Sequence, residues 1–436
     1  MSSPTTGDAA LPVPPELVSR STAGSRFAYG AFALPLAMGA LPLYVHLPRF
    51  YGETLGVGLA SLGALLLALR LADAIVDPLL GVWSDRGPAR KRLIAIAAPG
   101  LALGMIASFL PPVTGEVALL AWLAVSLVVV YAAYSLATIN HNAWGAELSA
   151  DPLERTRITA TREGIALAGV VLASVAPGLL GGDGGEAAGL PRFALAYAGI
   201  VAACLAVTLA APAAPRARPT ETSLAAALAH ALRDPAFRRL LTVFVANGIA
   251  AAIPATLVLF FVADVLRAEG SQGWLLAVYF IAGAAGLPLW TRLSARFGKA
   301  SAWGASMVVA ILAFVGAALL GPGDIVAFAI VCAASGLALG ADLALPPSIL
   351  ADVIGRRGTM RGTGAYFGVW TLATKLNLAL AAGIALPLLS AVGYAPGTQD
   401  PAATRALALV YAALPCALKL GALAALVAFT RSAFRT

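Results

Sequence analysis

Charge is scarce in this chain. Only 11% of its 436 residues are charged, about half the share of an ordinary soluble domain, while 60% are hydrophobic and mean hydropathy is +0.87. A water-soluble globule is excluded. Cysteine is equally sparse: Cys204, Cys332 and Cys416 stand singly in apolar runs, so neither a disulfide framework nor a cysteine metal cluster is indicated. The three histidines, His46, His141 and His230, lack metal-ligand spacing. No glycine-rich loop ending in Lys-Ser or Lys-Thr offers a cradle for phosphates, so ATP is not the expected energy source. An enzyme is not indicated, and no cofactor is expected. Residues 1–25, rich in Ser, Thr, Pro and Gly, lack the basic start, apolar core and cleavage site of a secretory signal and read as a flexible tail.

What fills the chain is a succession of apolar runs of about 20 residues, the length that crosses a hydrocarbon core. Twelve such spans fall at 27–47, 57–82, 92–112, 117–147, 158–181, 191–213, 238–264, 273–296, 301–321, 325–351, 362–390 and 404–430. The long polar connector from Pro215 to Arg239, with the helix-like stretch Ser223–Leu232, divides them six and six. The expected fold is an all-α membrane protein with an N-terminal bundle at 26–213, a linker at 214–237 and a C-terminal bundle at 238–436. With the N-terminus inside, 21 of the 29 basic residues fall on the cytoplasmic side and only Arg49, Arg192, Arg267 and Arg405 outside. Basic residues accumulate on the inner face, so both termini are expected in the cytoplasm, with a bacterial inner membrane as the location. The net charge of +8 then serves anionic lipid headgroups, and no nucleic acid is needed to explain it.

Against this background Arg70-Leu-Ala-Asp73-Ala-Ile-Val-Asp77-Pro78 stands out, with a base and two acids in the middle of the second span. At about 100° per residue these spacings place Arg70, Asp73 and Asp77 on one helix face, continued by Gly81. A charge near the bilayer centre costs at least ~2.5–3.5 kcal/mol, so such side chains face a protein interior and mark an ion or substrate path. Two carboxylates one turn apart are either an oxygen site for a hard cation or a proton acceptor. The alternative is a structural cluster in which Arg70 and Lys375 neutralise the acids and hold the halves together.

A faint internal echo joins the two halves. Gly81-Val-Trp-Ser-Asp85-Arg86-Gly-Pro-Ala-Arg90-Lys91, after the second span, is matched after the eighth by Leu289-Trp-Thr-Arg292-Leu-Ser-Ala-Arg296-Phe-Gly298-Lys299. Parallel repeats of six spans build one large transporter class. The first stretch resembles the Gly-x-x-x-Asp-Arg loop signature of the major facilitator superfamily. A narrower resemblance, to the glycoside–pentoside–hexuronide:cation symporters (the melibiose-permease-like group), rests on three motifs. These are Arg70-x-x-Asp73-Ala-x-x-Asp77-Pro78-x-x-Gly81, Trp144-Gly-Ala-Glu147-Leu-Ser-x-Asp151-x-x-Glu154-Arg155-Thr156 with Arg162 beyond it, and Ala351-Asp352 followed by Gly364-x-x-Phe367-Gly368 and Lys375.

That resemblance implies a cation-coupling site at the matching positions Asp73, Asp77, Ser135 and Lys375. Sodium-using members can carry an amide just before the second acid; here that place holds Val76, so the coupling ion is expected to be H+, with Na+ the alternative. The resemblance fits less closely on the substrate side. The acids with which galactoside-binding members grip sugar hydroxyls are replaced by Pro35 and Thr138. The remaining candidate substrate contacts are Tyr134, Thr138, His141, Asn142 and Arg162, whose groups donate and accept hydrogen bonds and, for Arg162, pair with a carboxylate or phosphate. Tyr366, Trp370 and Asn377 share a face of the eleventh span opposite Lys375 and join the candidates, as does Asn247 in the seventh.

Each has a bland counterpart: His141 and Asn247 as interhelical hydrogen bonds, Trp370 as helix packing, Asn140 as packing glue. Asp85 with Arg86, and Glu147, Asp151, Glu154 and Arg155, are expected to close an inner gate. Asp342 precedes Pro346-Pro347, which should break or kink the tenth span; Asp342 then either gates or caps the break. Taken together, the expectation is a monomeric symporter that couples a monovalent cation to a glycoside or other small polar solute by alternating access. A carrier of lysophospholipid or another lipid-like amphiphile is the first alternative, and a non-transporting scaffold or sensor the second.

Overall fold

The computed structural model describes residues 21–87, 89–212, 223–356, 362–395, 397–398 and 400–433. Most of the expected tail, the middle of the linker, and Arg20, Arg216, Arg218, Arg357, Arg361 and Arg435 lie outside the described residues. Among those described, every regular element is helical. The first half contributes α1 (Ala23–Gly52), α2 (Leu59–Arg86), α3 (Arg90–Phe109), α4 (Glu116–Glu147), α5 (Pro152–Gly181) and α6 (Gly185–Leu209). After the connector helix Leu224–Arg233 come α7 (Pro235–Val265), α8 (Gln272–Phe297), α9 (Lys299–Ala317), α10 (Ile325–Gly355), α11 (Thr363–Ala391) and α12 (Pro401–Ala433).

Among the described residues eleven helices are long and apolar enough to cross a membrane; α2 is not among them, and its middle carries Arg70, Asp73 and Asp77. Several helices outrun the apolar runs because polar caps extend them. The Asp151 carboxylate accepts the N–H of Leu153 at 3.0 Å ahead of Pro152, so α5 begins in the polar stretch Glu154–Arg157. Asp234 does the same for α7, accepting from Ala236 at 3.0 Å and Phe237 at 3.4 Å ahead of Pro235.

The packing repeats. In the first half α1 packs on α5, α3 on α4 and α6, α2 on α4, and α5 on α6; in the second, α7 packs on α11, α9 on α10 and α12, α8 on α10, and α11 on α12. These are the same pairs displaced by six helices, so the chain forms two six-helix bundles with the same internal packing. The ends of α1 and α7 repeat too: Leu55 N bonds to Phe50 O and Val57 N to Tyr51 O, as Leu266 N bonds to Phe261 O and Ala268 N to Val262 O.

The break expected at Pro346-Pro347 is absent. The helix α10 runs unbroken from Ile325 to Gly355 with both prolines inside it. Each proline removes only its own N–H, and α5, α8 and α9 pack along α10 and hold its course.

Between the bundles α2 runs against α11, α5 against α8 and α10, and α4 against α11. Glycine makes the first contact possible. A β-carbon at Gly81 would overlap the carbonyl of Gly364, and one at Gly368 would lie 2.8 Å from the carbonyl oxygen of Asp77. Replacing Gly368 with Val is expected to cost about 1–3 kcal/mol by overpacking and to lower the melting temperature of the purified protein, whereas Gly63→Ala, which meets open space within a helix, does not lower it. Equal melting temperatures for the two variants would show that the helices do not meet there.

Candidate functional site

The contact between α2, α4 and α11 gathers Asp73, Asp77, Ser135 and Lys375 into one cluster. Lys375 Nζ lies 2.5 Å from Asp73 Oδ2, 3.0 Å from Asp77 Oδ1 and 2.9 Å from Ser135 Oγ. The Ser135 hydroxyl in turn donates to Asp73 Oδ1 at 3.0 Å. An ammonium has three protons, and these three acceptors use them all. Asp77 Oδ2 lies 2.9 Å from the same ammonium, yet it is buried and receives no hydrogen bond among the described residues. The cluster therefore sets two carboxyl groups against one ammonium, which lies within ion-pair distance of both oxygens of Asp77.

Arg70 is not part of it. Its guanidinium sits over the Tyr44 ring at 4.4 Å from the centroid, and the residue is exposed, so the Arg70 part of the alternative charge cluster is not made among the described residues.

The polar residues of the first half form a second group. Arg162 donates to Asn142 Oδ1 and, through Nε at 3.1 Å, to Glu163 Oε1. Glu163 was not among the expected residues; consecutive helical positions point about 100° apart, so no face pattern links it to Arg162. Tyr134 and Thr138 are half-buried on α4. His141 is fixed instead in the α1–α4 contact. Its Nε2 lies 2.8 Å from the Tyr29 carbonyl, an acceptor, so this nitrogen carries the proton, and the Tyr29 hydroxyl donates to the His141 carbonyl at 2.9 Å.

In the second half, Tyr366, Trp370 and Asn377 share a face as expected, and that face packs on α7. The Tyr366 hydroxyl donates to Asp234 Oδ2 at 3.0 Å, the Trp370 ring stacks on Phe244 at 3.7 Å, and the Asn377 amide lies against Gly248. Asn247 and Asp342 belong to a further buried cluster within this half. Asp342 Oδ1 accepts from Asn247 Nδ2 at 2.9 Å and Trp303 Nε1 at 2.8 Å, while Lys419 Nζ bonds Asp342 Oδ2 at 3.2 Å and Asn247 Oδ1 at 2.7 Å. Asp342 thus anchors a lysine and caps no break. Lys419, a lone charge in an apolar run, carried the same sequence signal as Lys375.

The expected gate residues lie at the end of the bundle where α6 stops and α7 starts, the connector side, and they divide among three ties. Asp85 pairs with Arg90 at 2.7 Å, whereas Arg86 is exposed; the chain turns back after Gly87 and brings Arg90, at the start of α3, over the end of α2. The same guanidinium pairs with Glu147 at 2.9 Å and bonds Asn140 Oδ1 at 3.2 Å. Asp85 also reaches the other half, accepting the N–H of Gly364 at 2.7 Å and of Ala365 at 2.9 Å. These are orphan donors of the α11 N-terminus, where a carboxylate is favoured. Arg155 crosses between halves as well, to Asp352 at 3.1 Å, and Asp352 also holds Lys299 at 2.5 Å. Thr156 and Ser348 hydroxyls meet at 2.9 Å beside them. Glu154 joins neither tie but pairs with Arg26 at 2.8 Å, and Asp151 serves as a helix cap.

The sequence profile of the MFS/sugar transport proteins matches residues 26–431. Among curated proteins no sequence matches significantly. Among solved structures, the chain is similar to a bacterial homologue of the iron transporter ferroportin in its outward-facing state, with a TM-score of 0.73 at 16% identity over 94% of this chain and 100% of the other. It is also similar to the fucose:proton symporter FucP of E. coli, with a TM-score of 0.65 at 16% identity over 92% of this chain and 97% of the other. At these identities the likeness is one of fold.

Removing the shared cation tests the central cluster. Lys375→Met leaves two carboxylates facing each other in a buried site and is expected to cost about 3–5 kcal/mol, read as a fall in melting temperature. Adding Asp73→Asn should recover most of the loss; a double variant as unstable as Lys375→Met alone would refute the pairing.

Proposed function

The chain belongs to the MFS/sugar transport protein family of major facilitator transporters, and we propose that it is a symporter that couples a monovalent cation to a glycoside or another small polar solute. The observation that carries this reading is the cluster in which Asp73 and Asp77 share the single ammonium of Lys375 beside Ser135, with Asp77 Oδ2 accepting no hydrogen bond among the described residues. In the low dielectric of a helix bundle an uncompensated carboxylate is costly, and a proton or a small cation arriving at that oxygen relieves it. The proton is the favoured ion, since Val76 supplies no side-chain oxygen beside Asp77 where a bare metal cation needs several.

For the cargo, the polar group on α4 and α5 is the proposed contact. Arg162, Glu163 and Asn142 place a fixed cation, a carboxylate and an amide together, and Glu163 supplies a hydroxyl-gripping acid in place of those missing at Pro35 and Thr138. This favours a polyhydroxylated solute over an amphiphile. Orientation follows the basic residues: the connector side is the cytoplasmic side of a bacterial inner membrane, and the ties from Asp85 to α11 and from Arg155 to Asp352 close the inner gate, leaving the site to open outwards.

A thermal-shift screen of the purified protein with sugars and lysophospholipids identifies the cargo, and reconstitution then tests the coupling. In proteoliposomes Asp73→Asn and Asp77→Asn should each abolish uptake driven by a proton gradient while the proteins remain folded, and exchange of cargo at equal concentration should persist. Unchanged gradient-driven uptake in both variants would remove the coupling role. Uptake indifferent to pH but driven by sodium would replace the ion, and a shift with lysophospholipids alone would replace the cargo.

A further inference from the structure

A cavity of about 1260 Å³ opens on the connector side of the second bundle, walled by the starts of α5 and α9 and the ends of α8, α10 and α12. Its charge is unbalanced. Arg155, Lys299, Arg356 and Arg431 line it against only Asp151 and Asp352. Both acids are already engaged, Asp352 by Arg155 and Lys299 and Asp151 by the first turn of α5, while Arg356 and Arg431 are exposed.

The bases sit at helix ends. Lys299 opens α9, Arg356 follows the last residue of α10 and Arg431 lies in the last turn of α12. Deeper in, the lining turns apolar. Val308 and Leu423 stand nine and eight residues from Lys299 and Arg431, or about 12–13 Å along their helices. Val308 and Val427 are 41% and 40% exposed and stand on helices of membrane-crossing length. A basic rim at headgroup depth above an apolar wall at acyl depth matches one ligand chemistry, a phosphate carried on a hydrocarbon chain.

We propose that this cavity binds an anionic phospholipid of the surrounding bilayer, its phosphate among Lys299, Arg356 and Arg431 and an acyl chain along Val308, Leu423 and Val427. The cavity includes none of Asp73, Asp77 or Lys375, so the lipid site is separate from the cation site, and its failure would leave the symporter reading standing. Only its assignment to the inner leaflet rests on the proposed orientation.

The test is a thermal-shift titration of the full chain in detergent with phosphatidylglycerol, with phosphatidylcholine of the same chains, and with inorganic phosphate. Phosphatidylglycerol should raise the melting temperature saturably where the other two do not. The double variant Arg356→Gln/Arg431→Gln should weaken its apparent affinity at least tenfold, and Val308→Trp, which fills the apolar end without touching a charge, should weaken it similarly. Arg405→Gln, at the opposite end of the bundle, should leave it unchanged. Equal shifts with phosphatidylcholine, a phosphate shift that displaces phosphatidylglycerol, or wild-type affinity in both the double variant and Val308→Trp would each overturn the proposal.

Discussion

One ammonium shared by two carboxylates is the constraint around which this molecule is arranged. The acids of α2 lie within a bundle of apolar helices, where an isolated charge is unaffordable in folding terms, and Lys375 answers both from a different helix. That reach depends on backbone approach. Gly81 is one turn from Asp77, and Gly364 and Gly368 precede Lys375 on α11; without side chains at these places the two helices close until the ammonium spans Asp73, Asp77 and Ser135. A stripe of glycine in the sequence is thus the packing condition for an electrostatic site, and the site in turn keeps the two bundles in register at mid-depth.

The same economy governs the connector side, where each acid that reaches across the interface also has a partner at home. Asp85 accepts two amide protons of α11 and holds Arg90 of its own bundle; Asp352 takes Arg155 from the other bundle and Lys299 from its own. The echo between the two loop sequences acquires a physical meaning here. Arg90 at the start of α3 pairs with Glu147 at the end of α4, and Lys299 at the start of α9 pairs with Asp352 at the end of α10. Equivalent helices carry equivalent ion pairs, although the residues themselves have diverged.

Much of this was legible in the sequence because lipid imposes a severe filter. Apolar runs of crossing length have one structural outcome, so most of the helices could be read from hydropathy, while the polar connector marked their division into two bundles. Charges inside such runs are equally visible, and the resemblance to cation symporters linked Asp73, Asp77, Ser135 and Lys375 before their distances were known. Partnerships were harder to read. Arg90 stands in the run Arg90-Lys91-Arg92 and looks like any loop base; that it alone folds over Asp85 and Glu147 depends on how α3 leaves the turn. The common face of Tyr366, Trp370 and Asn377 was visible from spacing, but spacing does not tell which helix covers a face, and α7 covers this one. At Pro346-Pro347 a local rule pointed to a break that packing from three sides overrides.

The distribution of these ties bears on the proposed alternating access. When two rigid bundles rock, contacts within a bundle travel intact and contacts across the interface must be remade. Arg90 with Glu147, Lys299 with Asp352 and Lys419 with Asp342 are of the first kind. Asp85 to the α11 amides and Arg155 to Asp352 are of the second, and their loss strands neither acid, since Arg90 and Lys299 remain. The central cluster differs. Among the described residues its cation, Lys375, belongs to the opposite bundle, so parting α2 from α11 would leave Asp73 and Asp77 with the Ser135 hydroxyl from their own side. Two bare carboxylates a turn apart in a low-dielectric site do not persist, and a proton or cation must take the place the ammonium vacates. On the proposed symporter reading the connector-side ties would part at little cost, while the central cluster would follow only with an ion bound.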